Sequence, residues 1–162
     1  MLGQAGLQMD DGSISYRIAP GDFEAWKVPS TGGQELQITR NGAMDPLEAP
    51  DGSAIYYMKY EGSAPSLWKC LNNGTQERKV LDSVCVYSLA KHGIYFLPCR
   101  NSPFPFQFFD FLDFATQRKV TSFSIDSSRV GGHLSISPDE RWALYEQQDG
   151  TDSDLLLVKN FR

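Results

Sequence analysis

Few side chains of this sequence combine the types and spacings that catalyse reactions or bind metal ions. The two histidines, His92 and His133, have no cysteine or carboxylate at a metal-ligand spacing, so both are interpreted as ordinary surface or loop residues. Ser137 stands before Pro138-Asp139 but has neither an oriented base nor the Gly-x-Ser-x-Gly elbow of a nucleophile. These patterns predict no catalytic residue, no metal site and no cofactor.

Two further groups of residues are considered for ion binding and cross-linking. The acidic segment 149–154 offers oxygen ligands to a divalent cation but lacks the distal glutamate of an EF-hand loop, which favours a solvated loop. The three cysteines, Cys70, Cys85 and Cys99, are odd in number and widely spaced. Such spacing fits neither a disulfide framework nor a zinc site and predicts free, partly buried thiols.

Two apolar segments are candidates for binding a partner. The segment 98–114 contains six phenylalanines interleaved with prolines, and it either fills the core between sheets or forms an exposed patch on which a partner docks. Because proline cannot sit in a central strand, Phe104 and Phe106 are the members expected to be exposed. Leu155 and Leu157 belong to an apolar run that reaches residue 158 before the first charge, and they are predicted to lie on an open strand edge.

Composition and charge exclude several classes of function. The net charge is −5 and the basic residues are scattered, so direct nucleic-acid binding is not expected. No apolar run is long enough for a membrane span, and the first ten residues lack the features of a signal peptide. A protein of the cytoplasm that does not insert into membranes is therefore expected.

Turn dipeptides divide the chain into short segments of β-branched and aromatic residues. Such segments bounded by Gly, Asn and Asp are typical of strands, whereas no long window keeps a helical apolar period. The pattern predicts an almost all-β protein. Strands are predicted at 14–19, 24–29, 35–39, 54–60, 94–97, 142–147 and 155–159.

The segments repeat with a period of about 40 residues, which is typical of β-propeller blades. The pair Trp26-Lys27 recurs as Trp68-Lys69, 42 residues later (68 − 26), and each pair is followed by a glycine turn. Trp26 and Trp68 are therefore predicted to occupy equivalent third strands and to be substantially buried.

One motif adds a family resemblance. Residues 135–145, Ser-Ile-Ser-Pro-Asp-Glu-Arg-Trp-Ala-Leu-Tyr, resemble the S-x-S-P-D-G-x-x-[ILV]-x-[FY] pattern of WD-type, TolB-like repeats, with Glu140 in place of the usual glycine. Residues 49–57 match the same pattern with Ala49 in place of the second serine, and 88–96 form a decayed copy. The resemblance implies antiparallel four-stranded blades of a partial propeller of about three and a half to four blades.

The blades are placed at 14–41, 44–81, 84–123 and 132–161, within one domain that covers residues 1–162. The first is expected to lack its strand a and the last its strand d. The C-terminal part also resembles the propeller of bacterial winged-helix regulators, some of which place this domain outside the cytoplasm. No winged helix or membrane span occurs in this sequence, so DNA binding and membrane topology do not carry over.

The resemblance implies a non-catalytic module for protein interaction or ligand sensing, as a piece of a bacterial regulator or a TolB-like protein. The alternative is a propeller enzyme of the hydrolase or lyase type, or the accessory domain of a peptidase. A decayed fragment without a selected function is a third reading. The expected partner is another protein or a second copy of the chain, because a homodimer would close both open ends. Alternatively, residues 1–10 supply a missing strand.

Overall fold

The computed structural model describes residues 6–8, 12–18, 23–60, 62, 64–99, 107–125, 130–149 and 152–159. Side chains are described between residues 23 and 147 of these ranges, Gln107 excepted. Over these ranges the chain forms strands and no helix, which confirms the all-β prediction. It divides into two compact units, Met1–Asp82 and Ser83–Arg162.

The first unit contains two antiparallel sheets of four strands each, in chain order. The first sheet contains β1 (Gly6–Gln8), β2 (Gly12–Ile18), β3 (Phe23–Pro29) and β4 (Leu36–Gln37). The second contains β5 (Met44–Glu48), β6 (Ala54–Tyr60), β7 (Pro65–Leu71) and β8 (Arg78–Leu81). The expectation that the first sheet lacks strand a is wrong, because Gly6–Gln8 pairs with β2.

The second unit contains one sheet of four strands and one of three. The four-stranded sheet contains β9 (Val84–Leu89), β10 (Gly93–Pro98), β11 (Gln107–Asp113) and β12 (Lys119–Ile125). The three-stranded sheet contains β13 (Val130–Ile136), β14 (Trp142–Asp149) and β15 (Asp152–Lys159).

The tryptophan repeat is confirmed, since Trp26 lies on β3 and Trp68 on β7, each the third strand of its sheet. Both side chains are half-buried, which is less than the substantial burial predicted. The hairpins that follow the third strands repeat as well. Gln76 and Gln117 both have a φ of 57°, and the Thr75 and Thr116 hydroxyls donate to Asn73 and Asp113. A local side-chain hydrogen bond thus sets the same turn in both units.

The cysteine prediction is wrong for two of the three residues. Antiparallel pairing places Val84 opposite Pro98, which brings the neighbouring Cys85 and Cys99 to a Cα–Cα distance of 5.0 Å, and these two form a disulfide. Their spacing along the chain gave no sign of this contact, because strand pairing rather than spacing creates it. Cys70 is a free, buried thiol, and its burial raises its pKa.

Candidate functional site

A cleft of about 390 Å³ lies in the second unit and is called here the aromatic cleft. It is formed by β10, β11 and β12, the turn before β10 and the turn before β14. Its lining combines aromatic, hydroxyl and ionisable side chains. They are His92, Tyr95, Phe111, Val120, Thr121, Ser122 and Glu140.

The apolar wall of the cleft is one row of side chains across three strands. Tyr95 on β10 pairs with Phe111 on β11, which pairs with Val120 on β12. Directly paired residues project on the same face of a sheet, so the three side chains adjoin. The ring centroids of Tyr95 and Phe111 are 4.6 Å apart at 43°. Tyr95 is buried, whereas Val120 is 55% exposed, so the row runs from the core to solvent.

Gly93 makes room for this wall. A Cβ atom at Gly93 would lie too close to the Leu112 carbonyl oxygen and to the Phe111 ring. The close approach of this ring to the β10 backbone therefore requires glycine. Gly93 is the glycine of the decayed repeat copy, and it is required by the packing of the Phe111 ring rather than by the conformation of a turn.

The polar end of the cleft is built by Glu140, the residue that stands in place of the pattern's glycine. Its φ is 53°, the left-handed conformation that the turn requires. The carboxylate is 5% exposed, and its Oε1 accepts a hydrogen bond from the His92 backbone N–H at 3.3 Å and lies 3.0 Å from His92 Nδ1. The side chain thereby joins the turn before β14 to the turn before β10.

The histidine itself lies where the sequence places it, in a turn with 62% of its side chain exposed. What sequence reasoning missed is its carboxylate partner 48 residues along the chain. The sequence offered one signal of this contact, namely that Glu140 stands where the repeat pattern has glycine. His133 is 87% exposed and contacts Glu146 at 3.1 Å, as a surface residue does.

The hydroxyl groups of the cleft do not form a nucleophile with this histidine. Thr121 Oγ1 donates to Asp110 Oδ1 at 3.1 Å, so its proton is engaged by a carboxylate. Within the ranges described, Ser122 makes no hydrogen bond to His92. Ser137 serves its own turn, because its hydroxyl donates to Asp139 at 2.6 Å and accepts from the Trp142 backbone N–H.

A second polar arrangement, called here the lysine–tryptophan cluster, lies in the first unit. Lys59 Nζ is 2.6 Å from Glu77 Oε1, which also accepts a hydrogen bond of 2.5 Å from Tyr57. The Trp68 ring has Lys59 Nζ at 4.7 Å and Lys79 Nζ at 5.4 Å from its centroid. The Lys59 side chain is 5% exposed and that of Glu77 is 32% exposed, so the cluster joins a buried ammonium to a carboxylate at the margin of the core.

The ionisation of this cluster follows from its contacts. Burial acts to raise the pKa of Glu77, but the hydrogen bonds from Lys59 and Tyr57 outweigh it and the pKa is lowered. Burial, reinforced by the hydrogen bond to Glu77, raises the pKa of Tyr57 far above its ordinary value. Glu77 is therefore an ionised acceptor between a cation and a neutral phenol.

The predicted partner-binding residues are only partly located. Phe104 and Phe106 lie outside the described residues. Leu155 and Leu157 lie on β15, opposite Glu146 and Leu144 of β14, but their side chains are not among those described. The rest of the phenylalanine segment divides between the two readings, since Phe109 is fully buried and Phe108 is 43% exposed.

Two further kinds of feature are absent from the part of the chain that the structure describes. No group of three or more His, Cys, Asp and Glu side chains is arranged there to hold a metal ion. No helix long and apolar enough to span a membrane occurs in those residues.

Comparison with known proteins shows the fold. TolB from Acinetobacter baumannii matches with a TM-score of 0.76 and 11% identity, over 93% of this chain and 38% of that one. An oligogalacturonate lyase in complex with manganese matches with 0.65 and 17%, over 98% and 51%. The β-propeller domain of the Trilobed protease from Pyrococcus furiosus matches with 0.64 and 10%, over 98% and 55%.

No family model matches the chain, and neither does any curated protein. The chain is an all-β protein with antiparallel four-stranded sheets and the fold of a partial β-propeller. Its structural neighbours are TolB-like and other propellers, whereas nothing supports a WD-type family or the winged-helix regulators. The chain spans between 38% and 55% of the three structures named above.

Proposed function

We propose that this chain is a non-catalytic binding segment of a β-propeller protein and that the aromatic cleft receives its ligand. The observation that carries the proposal is the lining of the cleft, where a row of apolar side chains ends beside a buried carboxylate. Ligand sites are typically apolar concavities with a few placed polar groups, and about 390 Å³ lies within their usual size.

The contacts of the polar groups favour binding over catalysis. A Ser-His-carboxylate mechanism needs the hydroxyl to donate to the imidazole. His92 has its carboxylate in Glu140, but the Thr121 hydroxyl donates to Asp110 instead. The lyase and peptidase propellers among the structural neighbours keep an enzyme as the alternative function.

The test is a fragment screen read by NMR on the ¹⁵N-labelled chain. Fragments that bind should shift the amide signals of Val120 and Thr121 more than those elsewhere. The variant Val120→Trp should abolish these shifts, because position 120 is exposed at the mouth of the cleft. The matched control is Ser124→Trp, on the same strand and outside the lining. Hits that cluster elsewhere, or turnover of ester, peptide or polysaccharide substrates, would contradict the proposal.

Self-association is a second element of the proposal. Within the described residues β15 pairs with β14 alone, and an unpaired edge is a template for another strand. We expect the mass measured by sedimentation equilibrium to rise from low to high micromolar concentration. The variant Leu155→Lys, which adds a guarding charge, should lower it, and a constant monomer mass would contradict the idea.

The disulfide bears on the compartment, for which the sequence favours the cytoplasm. Because disulfides persist in oxidising compartments and are rare in the cytosol, Cys85–Cys99 favours an oxidising one. After denaturation, alkylation without reductant should modify Cys70 alone, and alkylation with reductant should modify all three cysteines. The proposal would be contradicted if protein exported to an oxidising compartment showed three alkylated cysteines in the absence of reductant.

A further inference from the structure

We propose that Lys69 and Arg78 form a binding site for a carboxylate, which an acidic side chain of a partner protein supplies. The site, called here the cation pair, lies in the first unit, whereas the aromatic cleft lies in the second. It therefore goes beyond the proposed function. Three features lead to it, and they concern the register of two strands, the charges around the pair and a neighbouring apolar side chain.

Strand register places the two cations side by side. Lys69 on β7 pairs with Arg78 on β8, and directly paired residues project on the same face with Cβ atoms about 5 Å apart. Tyr56 on β6 positions Lys69 from the other side, because Lys69 Nζ donates a hydrogen bond of 3.5 Å to its hydroxyl. Tyr56 is 4% exposed, whereas Lys69 is half-buried and Arg78 is exposed. The cations, and not the tyrosine ring, are thus open to a ligand.

The charges of the pair are not matched by a carboxylate at contact distance. Among the residues that the structure describes, neither Lys69 nor Arg78 forms an ion pair. Burial lowers the pKa of Lys69, and the charge of Arg78 lowers it further. Asp51 acts in the opposite direction through its charge, but its carboxylate accepts a hydrogen bond of 2.6 Å from the Ser53 hydroxyl. An anion bound between the two cations would relieve their repulsion.

The same charges favour one kind of anion. The planar fork of arginine matches a carboxylate or a phosphate, and lysine adds a further donor. Asp51 is close enough for its charge to act on Lys69, so it offsets part of the positive charge of the site. It would repel the second negative charge of a phosphate dianion. A singly charged carboxylate fits this balance better.

An apolar neighbour indicates that a protein supplies the carboxylate. Leu71 lies two residues after Lys69 on β7, so the alternation of side chains places both on the same face. Leu71 is 37% exposed. An acidic side chain with an apolar residue nearby in its sequence can contact the cation pair and Leu71 together and bury apolar surface. A small organic acid offers only the charged contact.

The second unit provides an internal control. Lys119 follows the turn residue Gln117 by two positions and begins β12, as Arg78 follows Gln76 and begins β8. The partner of Lys119 on the neighbouring strand is Leu112 rather than a lysine. Lys119 is therefore an exposed cation at the same strand position, without a second cation opposite it.

The experiment is an NMR titration of the ¹⁵N-labelled full chain with capped peptides. N-acetyl-Glu-Ala-Leu amide should shift the amide signals of Lys69, Leu71 and Arg78, with a dissociation constant about tenfold lower than that of N-acetyl-Gln-Ala-Leu amide. N-acetyl-Glu-Ala-Ser amide should bind about threefold more weakly than the leucine peptide, because it buries less apolar surface. Equal binding of the glutamate and glutamine peptides would overturn the proposal.

Propionate and inorganic phosphate test the source and the class of the anion. Both should bind at least about threefold more weakly than N-acetyl-Glu-Ala-Leu amide. Propionate that binds as tightly as the peptide would assign the pair to small organic acids and overturn the protein partner. Phosphate that binds more tightly than the peptide would overturn the choice of a carboxylate.

Substitutions then locate the binding. Arg78→Gln and Lys69→Met should each weaken binding of the glutamate peptide about tenfold, whereas the matched control Lys119→Gln should leave it unchanged. Asp51→Asn should tighten binding about twofold, since asparagine still accepts the hydrogen bond from Ser53. Unchanged affinity in both Arg78→Gln and Lys69→Met, or an equal loss in Lys119→Gln, would overturn the proposal. The proposed function would stand in either case, because its test reads the signals of the aromatic cleft.

Discussion

The two units follow one strand plan but stabilise their cores by different means. In the first unit, buried Tyr57 and buried Lys59 meet on Glu77, and the Trp68 ring lies between two ammonium groups. In the second unit, Phe109 stacks on Phe123 with centroids 4.7 Å apart and planes at 9°, and Tyr145 lies at 6.5 Å from Phe109. A disulfide there joins the two ends of one hairpin.

The difference shows that a repeat conserves strand positions more strictly than the chemistry of the core. Any side chain set that fills the interior and satisfies its polar groups stabilises such a sheet. The ionic cluster depends on every member being paired, because an unpaired buried charge is costly. The aromatic core depends mainly on filled volume, although it also buries Gln147, which accepts a hydrogen bond from the Tyr145 hydroxyl, and the ring surface at its margin forms one wall of the cleft. The second unit therefore combines the aromatic core with the aromatic cleft.

The largest effect is expected in the aromatic core. Replacing Phe109, which is fully buried, with Ala should lower the free energy of unfolding by about 3–5 kcal/mol. Urea denaturation measures the loss, and hydrogen exchange should locate it in the strands of the second unit. The control is Phe108→Ala, the exposed neighbour on the same strand, which should cost less than about 1 kcal/mol. Similar losses for both variants would contradict the assignment of Phe109 to the core.

The disulfide should contribute somewhat less. It joins two residues 14 positions apart, a separation for which the loop-entropy relation gives about 3 kcal/mol. The double variant Cys85→Ser/Cys99→Ser should lose about this amount, and reduction of the native chain should match it. Cys70→Ala serves as the comparison in the first unit, where no cross-link is removed. If reductant left the unfolding midpoint unchanged, the disulfide would have no part in stability.

Breaking the ionic cluster should cost about 1.5–3 kcal/mol, the range for hydrogen bonds to charged groups. Glu77→Gln removes the charge that pairs with Lys59, whose side chain is 5% exposed. The exposed Glu35→Gln is the matched control and should change little. Loss of protection should concern the first unit only, so a loss in the second would refute the contrast between the two cores. A stable Glu77→Gln variant would show that Lys59 is satisfied without this carboxylate.

The smallest effect is expected in the way stability declines at acidic pH. Hydrogen bonds from Ser137 and the Arg141 backbone lower the pKa of Asp139, and those from Thr116 lower the pKa of Asp113. A carboxyl whose pKa is lowered by folding stabilises the protein above its unfolded value of about 4, and this stability is lost as pH falls through the folded value. In Asp139→Asn, the decline of melting temperature with acid should become slightly shallower. An identical or steeper decline would contradict the assigned sign.

Much of the fold could be predicted from the sequence because its signals are local. Turn residues and alternating apolar residues determine where strands begin and end, and the period of Trp26 and Trp68 shows which strands are equivalent. The same local chemistry sets the Asn73 and Asp113 turns. The cleft could not be predicted in this way, although Glu140 in place of glycine marked its position.

Tertiary structure alone decided which distant residues meet. Strand register brings Cys85 to Cys99, aligns Tyr95, Phe111 and Val120, and buries Lys59 beside Glu77. Packing of one turn against another brings Glu140 to His92 across 48 residues. Each contact joins side chains whose separation along the chain carries no period, so no sequence pattern reports it. Residue types and local spacing determine the strands, whereas the pairing and packing of those strands determine the chemistry between them.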